Sequence, residues 1–254
     1  MISRKKDLID GIMSTMTKMI FQPTTGLTRV FVAYSSEDKD FVADVVASLN
    51  NAGLEPYIAE WDNNANTHLT SKVEKGISES LHFVPILSKS SVHEQWINQE
   101  IGFAYSLKYL YEIQKDQLLI KRRPLLGAAV KDYPDALNPI EIYPIVYKPL
   151  KDVVKGWVNR DIDLILYDNN DRDWKRHTIF ELFGQIRYRL ERFYSTPFVL
   201  SLKCPHCESD FTAPLPRRAE LLKPYHENRP FPIKCAVCEE EIHIDPVNFN
   251  ILKP

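Results

Sequence analysis

Two sets of residues in this chain have the types and spacing to do chemistry. The first is Trp96-Ile-Asn-Gln-Glu100, which follows the apolar run Phe83-Val-Pro-Ile-Leu87 and opens a helical pattern. Trp96 and Glu100 are four residues apart, so on a helix they share one face. The order strand, Ser-Ser-Glu-Asp, helix, Gly, strand, acidic loop, helix, strand, then Trp-x-x-x-Glu predicts a parallel α/β domain. Ligands bind at the C-terminal ends of the strands in such folds, and that makes Glu100 a candidate catalytic carboxylate. The second set is Cys204-Pro-His-Cys207 with Cys235-Ala-Val-Cys238. Four thiolates in two Cys-x-x-Cys pairs can close a tetrahedral zinc site, structural rather than catalytic because no coordination position stays open.

The elements that must position these groups are legible from periodicity. Val30-Phe-Val-Ala-Tyr34 reads as a strand covered on both faces. Phe41, Val42, Val45, Val46 and Leu49 form a helical stripe, with Ser36 or Asp38 as its cap and Gly53 as its stop. Pro56–Ala59 is a second strand and Trp61–His68 a polar loop. Thr70 is expected to cap a helix reaching about Ser80, with Val73 and Ile77 inward. Pro85 in the third strand requires an unpaired side or a bulge. A helix is expected from about Gln95 to Gln114. Tyr143–Tyr147 and Ile162–Tyr167 are further strands, and Trp174–Tyr194 a helix. Residues 8–20 have helical spacing, and 115–141 give no clear pattern. Pro197 marks the break to a small module whose apolar strands flank the cysteine pairs.

Composition bounds the partners. The chain has 254 residues, 44% hydrophobic and 26% charged, with a net charge of −2, so nucleic acid is not an expected partner. No apolar run reaches the roughly 18 residues of a membrane span. The N-terminus does not read as a signal peptide. Cysteines confined to two pairs fit a reducing, cytoplasmic compartment. His68, His82 and His93 make no metal set, and there is no Gly-rich phosphate loop.

Residues 29 to about 170 resemble a Toll/interleukin-1 receptor (TIR) domain. The resemblance rests on Val30-Phe-Val-Ala-Tyr-Ser-Ser-Glu-Asp38, Gly53-Leu-Glu-Pro-Tyr57, the loop Trp61–His68, Val84-Pro-Ile-Leu-Ser88 and Trp96–Glu100. It is strongest over 29–107. It implies a flavodoxin-like α/β fold with a central parallel sheet, here carrying a C-terminal zinc ribbon. The implied organisation is an N-terminal helical extension (1–26), a TIR domain (27–196) and the ribbon (197–254).

The resemblance further implies either a scaffold assembling through the 61–68 loop or an enzyme of the prokaryotic NAD-cleaving kind. Such an enzyme yields ADP-ribose or a cyclic ADP-ribose isomer for antiphage signalling, sensed by a downstream effector. Glu100 matches the family's glutamate. Pyridinium nicotinamide leaves as a neutral molecule, so one carboxylate suffices to hold the ribose hydroxyls and favour the developing positive charge. Trp96 is placed to stack on a ring of NAD. Tyr34, Ser35 and Ser36 are placed to meet phosphate or ribose oxygens, and Asp62 to fix the ligand or, more in keeping with its position, the loop. A nucleoside-processing enzyme with a glutamate nucleophile is a third, weaker reading.

Overall fold

The computed structural model describes residues 29–63, 67–109, 140–154, 163–193 and 199–252, with backbone only for 188–193. The expected helix over 8–20, the 1–26 extension, Asn64 and Asn66 of the loop, Ile162 and the Pro197 boundary lie outside these residues.

Strand β1 (Arg29–Ala33) leads through a 3-10 turn (Ser36–Asp38) into helix α1 (Lys39–Asn51). Strand β2 (Glu55–Tyr57), a turn at Ala59–Trp61 and helix α2 (Leu69–Ser78) follow. Strand β3 (His82–Leu87) precedes helix α3, described over 95–109. Then come β4 (Glu141–Ile142), β5 (Ile145–Tyr147), β6 (Ile165–Tyr167) and helix α4 (Trp174–Phe193). All pairings among β1–β6 are parallel, in the order β2-β1-β3-β5-β6, with β4 also on β3. This is the doubly wound, flavodoxin-like order.

The two faces of the sheet follow from the period of two along a strand. Val30 and Val32 point to the face covered by α1 and α4, with Val42, Val45, Leu49, Leu182 and Ile186 in one cluster. Phe31 and Ala33 point to the other face, with Val73, Ile77, Ile97 and Ile101 of α2 and α3. Burial on both faces is why β1 reads as an unbroken apolar run.

Local chemistry sets the joints, in places differently from expectation. Helix α1 is led in by Ser35, whose hydroxyl accepts the Glu37 N–H at 3.4 Å, and neither Ser36 nor Asp38 caps it with a side chain. Gly53 closes α1 at φ +75°, with Leu54 N–H bonded to Leu49 O at 3.0 Å. That is the six-to-one bond of a left-handed glycine cap. A Cβ there would also lie 2.9 Å from the Val199 carbonyl. Helix α2 begins at Leu69 with no side-chain cap, so Thr70 lies inside it. Pro85 sits centrally in β3, opposite Ala33 on one side. On the other side the partner strand is interrupted between Ile142 and Ile145, so the missing N–H falls at a break in pairing.

The C-terminal module has a hairpin, β7 (Val199–Lys203) with β8 (Asp210–Pro214), and a sheet of β9 (Phe231–Lys234), β10 (Glu241–Ile244) and β11 (Ile251–Leu252). Between them lies a helix, α5 (Arg218–His226), that the strand pattern flanking the cysteine pairs did not predict. Pro224 interrupts its helical pattern. Tyr225 of α5 stacks on Phe180 of α4 with ring centroids 3.9 Å apart and planes 2° from parallel. Leu200, Leu202, Phe211, Ile242 and Ile244 belong to the same apolar cluster as α1 and α4. The core therefore continues from the sheet into the module. Among the described residues, no helix is long and apolar enough to cross a membrane.

Candidate active site and metal centre

The strand ends gather the polar groups. Beyond β1, Tyr34 and Ser35 are buried, while Ser36 is exposed. Beyond β3, Ser91 Oγ accepts the Ser88 N–H at 2.7 Å and donates to Ile86 O at 2.9 Å, which folds the chain sharply into α3. Strands β2 and β3 flank β1 on opposite sides, so these loops surround the point where strand order reverses.

Glu100 is only 5% exposed. Its carboxyl is pushed up to about 8, first by burial and then by the Glu60 charge; the Trp96 indole opposes this, and Glu94 adds to it. The Trp96 N–H is buried and has no partner of normal hydrogen-bond geometry, so its help to the carboxylate is partial. A carboxyl so placed takes up or gives up its proton near neutral pH.

The expected site residues do not all converge. Trp61 Nε1 donates to Tyr34 Oη at 3.1 Å, with the rings edge to face at 6.5 Å. Burial, more than Glu60, raises Tyr34 against the Trp61 bond. Glu60 thus acts on Tyr34 and on Glu100 together, so Tyr34 with its partner Trp61, and Glu100 with Trp96, lie within reach of one charge. Ser35 Oγ is committed within the protein, donating to Glu94 Oε1 at 2.6 Å. Asp62 accepts from Tyr57 Oη at 3.0 Å, and Lys72 Nζ holds its carbonyl at 2.5 Å, so it shapes the start of the loop.

Sequence reasoning took Asp38 only as a helix cap and missed Glu60 and Glu94. Asp38 is raised by burial, opposed by a Ser88 hydrogen bond, and further raised by Glu37 and Glu94. The single signal available for these three was an acidic residue directly after a strand or before a helix.

The four cysteines do come together, with all four Sγ atoms within 4.8 Å of one another. Cys204 Sγ lies 3.7 Å from Cys238 Sγ, and Cys207 Sγ 3.9 Å from Cys235 Sγ. A tetrahedron with zinc–sulfur bonds of about 2.3 Å has edges of about 3.8 Å, so the spacing fits. His206 N–H points at Cys204 Sγ and Val237 N–H at Cys235 Sγ, both at 3.4 Å. Ser209, through its N–H and then its hydroxyl, pulls the Cys207 thiol down to about 6. Cys238 is held up at about 12, the Glu240 N–H being outweighed by burial and the three neighbouring sulfurs. Four sulfurs this close do not all ionise without a cation.

Both cysteine turns share one backbone. Residue five bonds back to residue one (Glu208 N–H to Cys204 O, 2.9 Å; Glu239 N–H to Cys235 O, 3.0 Å), with residue five at φ 57° and 62°. A third turn, Asp245-Pro-Val-Asn-Phe-Asn250, repeats this without cysteine. Phe249 N–H bonds to Asp245 O at 3.0 Å, Phe249 has φ 58°, and Asp245 Oδ1 takes the Val247 N–H at 2.7 Å where the others offer sulfur. This knuckle docks on the α/β domain. Arg176 Nη1 of α4 meets Asp245 Oδ2 at 2.6 Å. Asn51 Nδ2 at the end of α1 donates to Asn248 O at 2.9 Å and Asn250 Oδ1 at 2.7 Å.

The doubly wound sheet carries a buried glutamate, Glu100, on the helix that follows β3. Residues 30–137 match the family model of the TIR domain, and this stretch is a TIR domain. The 2′ cyclic ADP-D-ribose synthase BtTIR of Bacteroides thetaiotaomicron is 29% identical over 99 residues, 35% of this chain and 34% of that protein. The chain thus spans about a third of the length of that relative. The solved TIR domain of the Toll-related receptor TRR-2 from Hydra magnipapillata aligns with a TM-score of 0.41 at 18% identity, covering 62% of this chain and 97% of that one.

Proposed function

We propose that this chain cleaves the nicotinamide–ribose bond of NAD, as an NAD glycohydrolase or ADP-ribosyl cyclase, with Glu100 as the catalytic residue. The observation that carries the reading is a glutamate buried against Trp96 at the strand-end crevice. The match to a bacterial cyclic ADP-ribose synthase supports it.

In this reading the ribose seats its hydroxyls on Glu100, and the nicotinamide ring lies against Trp96. The positive charge of the bound pyridinium draws the proton off Glu100 into solvent. The C–N bond then breaks, its electron pair leaving with the ring nitrogen. Ionised Glu100 stabilises the cationic sugar carbon, in a site where burial strengthens the interaction. Attack by water gives ADP-ribose, and attack by a second hydroxyl of the same molecule gives a cyclic isomer, the nucleophile's proton passing in either case to ionised Glu100. Tyr34, with its hydroxyl tied to Trp61, and exposed Ser36 border the entrance. Ser35 and Asp62 serve by holding the loops.

The four cysteines hold a structural zinc in this proposal, and the domain limits are 27–196 for the TIR unit and 197–254 for the ribbon. The setting is cytoplasmic microbial immune signalling, with the product sensed by a downstream effector. Trp61 is 46% exposed despite its bond to Tyr34, which supports self-association through the 61–68 loop. A scaffold would use that surface alone. Mass spectrometry of products after incubating the purified chain with NAD decides between them, since release of no nicotinamide at any protein concentration leaves only the scaffold. Trp61→Ala should lower specific activity most in dilute protein, and activity constant over a hundredfold dilution of a monomer would exclude assembly.

A further inference from the structure

The residue just before α3 spends its side chain in an unexpected direction. Glu94 is extended (φ −76°, ψ 117°), and its carbonyl accepts the Asn98 N–H at 3.4 Å and Asn98 Nδ2 at 3.1 Å. It therefore stands at the N-cap of α3, within the usual latitude of helix ends. The residues that cap well there are Ser, Thr, Asp and Asn, whose short side chains reach back to the first turn. Glu94 instead reaches across to β1 and accepts the Ser35 hydroxyl at 2.6 Å, a length typical of a charge-assisted bond. Ser35 is 1% exposed, so this bond joins the buried tip of the first strand to the helix that carries Glu100.

We propose that Glu94 is a positioning residue for the reaction at Glu100: through Ser35 it fixes the first turn of α3 against β1, and its charge bears on Glu100 from the same helix. The proposal rests on the reading of Glu100 as the reacting carboxylate. Three acidic groups enter the balance around it. Glu60 approaches Glu100 from the turn after β2, Glu94 from the start of α3, and Asp38, in the turn after β1, is itself coupled to Glu94. Tyr34 through Glu60, and Glu37 through Asp38, are further titratable neighbours. Glu94 holds a direct bond from the start of α3 to Ser35 beyond β1. A merely structural latch would set α3 in place without acting on the proton at Glu100, and the two roles separate by substitution.

The test uses the full chain in two arms. In the first, the side-chain carboxyls of glutamate-labelled protein are titrated by carbon-13 NMR, with Glu100→Gln identifying the Glu100 signal. Glu94→Gln keeps an acceptor for Ser35 and removes the charge, so the Glu100 midpoint should move to lower pH, while Ser35→Ala should leave it near wild type. An unmoved midpoint in Glu94→Gln overturns the proposal, and this arm reads out whether or not NAD is cleaved. In the second arm, Ser35→Ala and Glu94→Ala should each lower kcat by about tenfold with KM within about twofold, since small misplacements of a reacting group cost rate before affinity. Wild-type kcat in both overturns the positioning role. Absence of cleavage by the wild-type chain removes the proposed function itself, and the first arm then still decides whether Glu94 acts on Glu100.

Discussion

The crevice and the ribbon both concentrate groups that carry negative charge, and they neutralise it differently. In the ribbon, four sulfurs sit within 4.8 Å, backbone N–H groups point at Cys204 and Cys235, and four ligands leave no open position. That arrangement suits a resident cation. In the crevice, Glu100 lies near Glu60 and Glu94, and two buried polar atoms, Asp38 Oδ2 and Trp96 Nε1, lack ordinary partners. That arrangement holds a proton on Glu100 near neutral pH. Chelators should therefore act on the ribbon and pH on the crevice.

The sharpest way to break the comparison is to remove the crevice charge. Glu100→Gln is nearly isosteric and keeps the burial. Nicotinamide release should fall by at least about 100-fold, the scale expected when transition-state charge loses its stabiliser. A folded Gln variant that cleaves NAD at the wild-type rate would end the assignment.

Metal removal tests the other side. Structural zinc contributes about 10–16 kcal/mol in zinc-finger peptides, as much as a domain's whole stability. Chelation, or Cys235→Ser, should unfold the ribbon. Leu200 and Leu202 share a core with Val45, Leu49 and Leu182, so the melting of the α/β domain should fall as well. Calorimetry with and without chelator checks both. Protein purified without chelator that contains no stoichiometric zinc would show the thiolate reading to be wrong.

The pH dependence of stability has a definite sign. Glu100 is raised from 4.5 to about 8, so the folded chain binds its proton more tightly than the unfolded chain. Its contribution favours folding fully below about 4.5, where both states are protonated, and is lost as pH climbs to about 8. The shift corresponds to a penalty on the order of 4 to 5 kcal/mol at high pH. Glu100→Gln should abolish it, so the variant's melting temperature should exceed that of wild type increasingly between pH 5 and pH 8. Parallel curves across that range would show that Glu100 is not held protonated. If the chain cleaves NAD, kcat/KM should rise with pH toward a plateau above about 8, with the kcat limb displaced to lower pH by the bound positive charge.

Much of this was legible in the sequence, for physical reasons. Val30–Tyr34 and Phe83–Leu87 are buried on both faces and announce themselves as apolar runs. Trp96 and Glu100 are four apart on one helix, and the four cysteines carry their own spacing rule. Glu60 and Glu94 were not legible, because they reach Glu100 from a turn after another strand and from a helix start that reads as ordinary solvated sequence. Helix α5 was hidden by Pro224 and by having one fully buried side chain, Leu221. The third knuckle was hidden because its pattern is backbone geometry; its one shared letter is the proline after the first residue, Pro205 and Pro246.

That third knuckle gives the smallest effect and the finest test, because it asks what the turn requires when no metal is involved. Asp245 does two jobs at once. Oδ1 accepts the N–H groups of Val247 and Asn248 at 2.7 and 3.2 Å, while Oδ2 pairs with Arg176, both side chains being a quarter exposed or less. Asp245→Asn keeps an acceptor for the turn and loses the charge, which should cost about 1 to 2 kcal/mol; Asp245→Ala loses both and should cost about 2 to 4 kcal/mol. Arg176→Ala should match the Asn variant, and the two together should cost less than their sum, because they share one bond. Urea unfolding of wild type and the four variants measures this. Full additivity would mean that the ion pair does not join the ribbon to α4. A neutral Asp245→Ala would mean that the turn holds its shape without a side-chain acceptor, and that the sulfur-directed N–H groups of the cysteine knuckles owe their direction to the backbone alone.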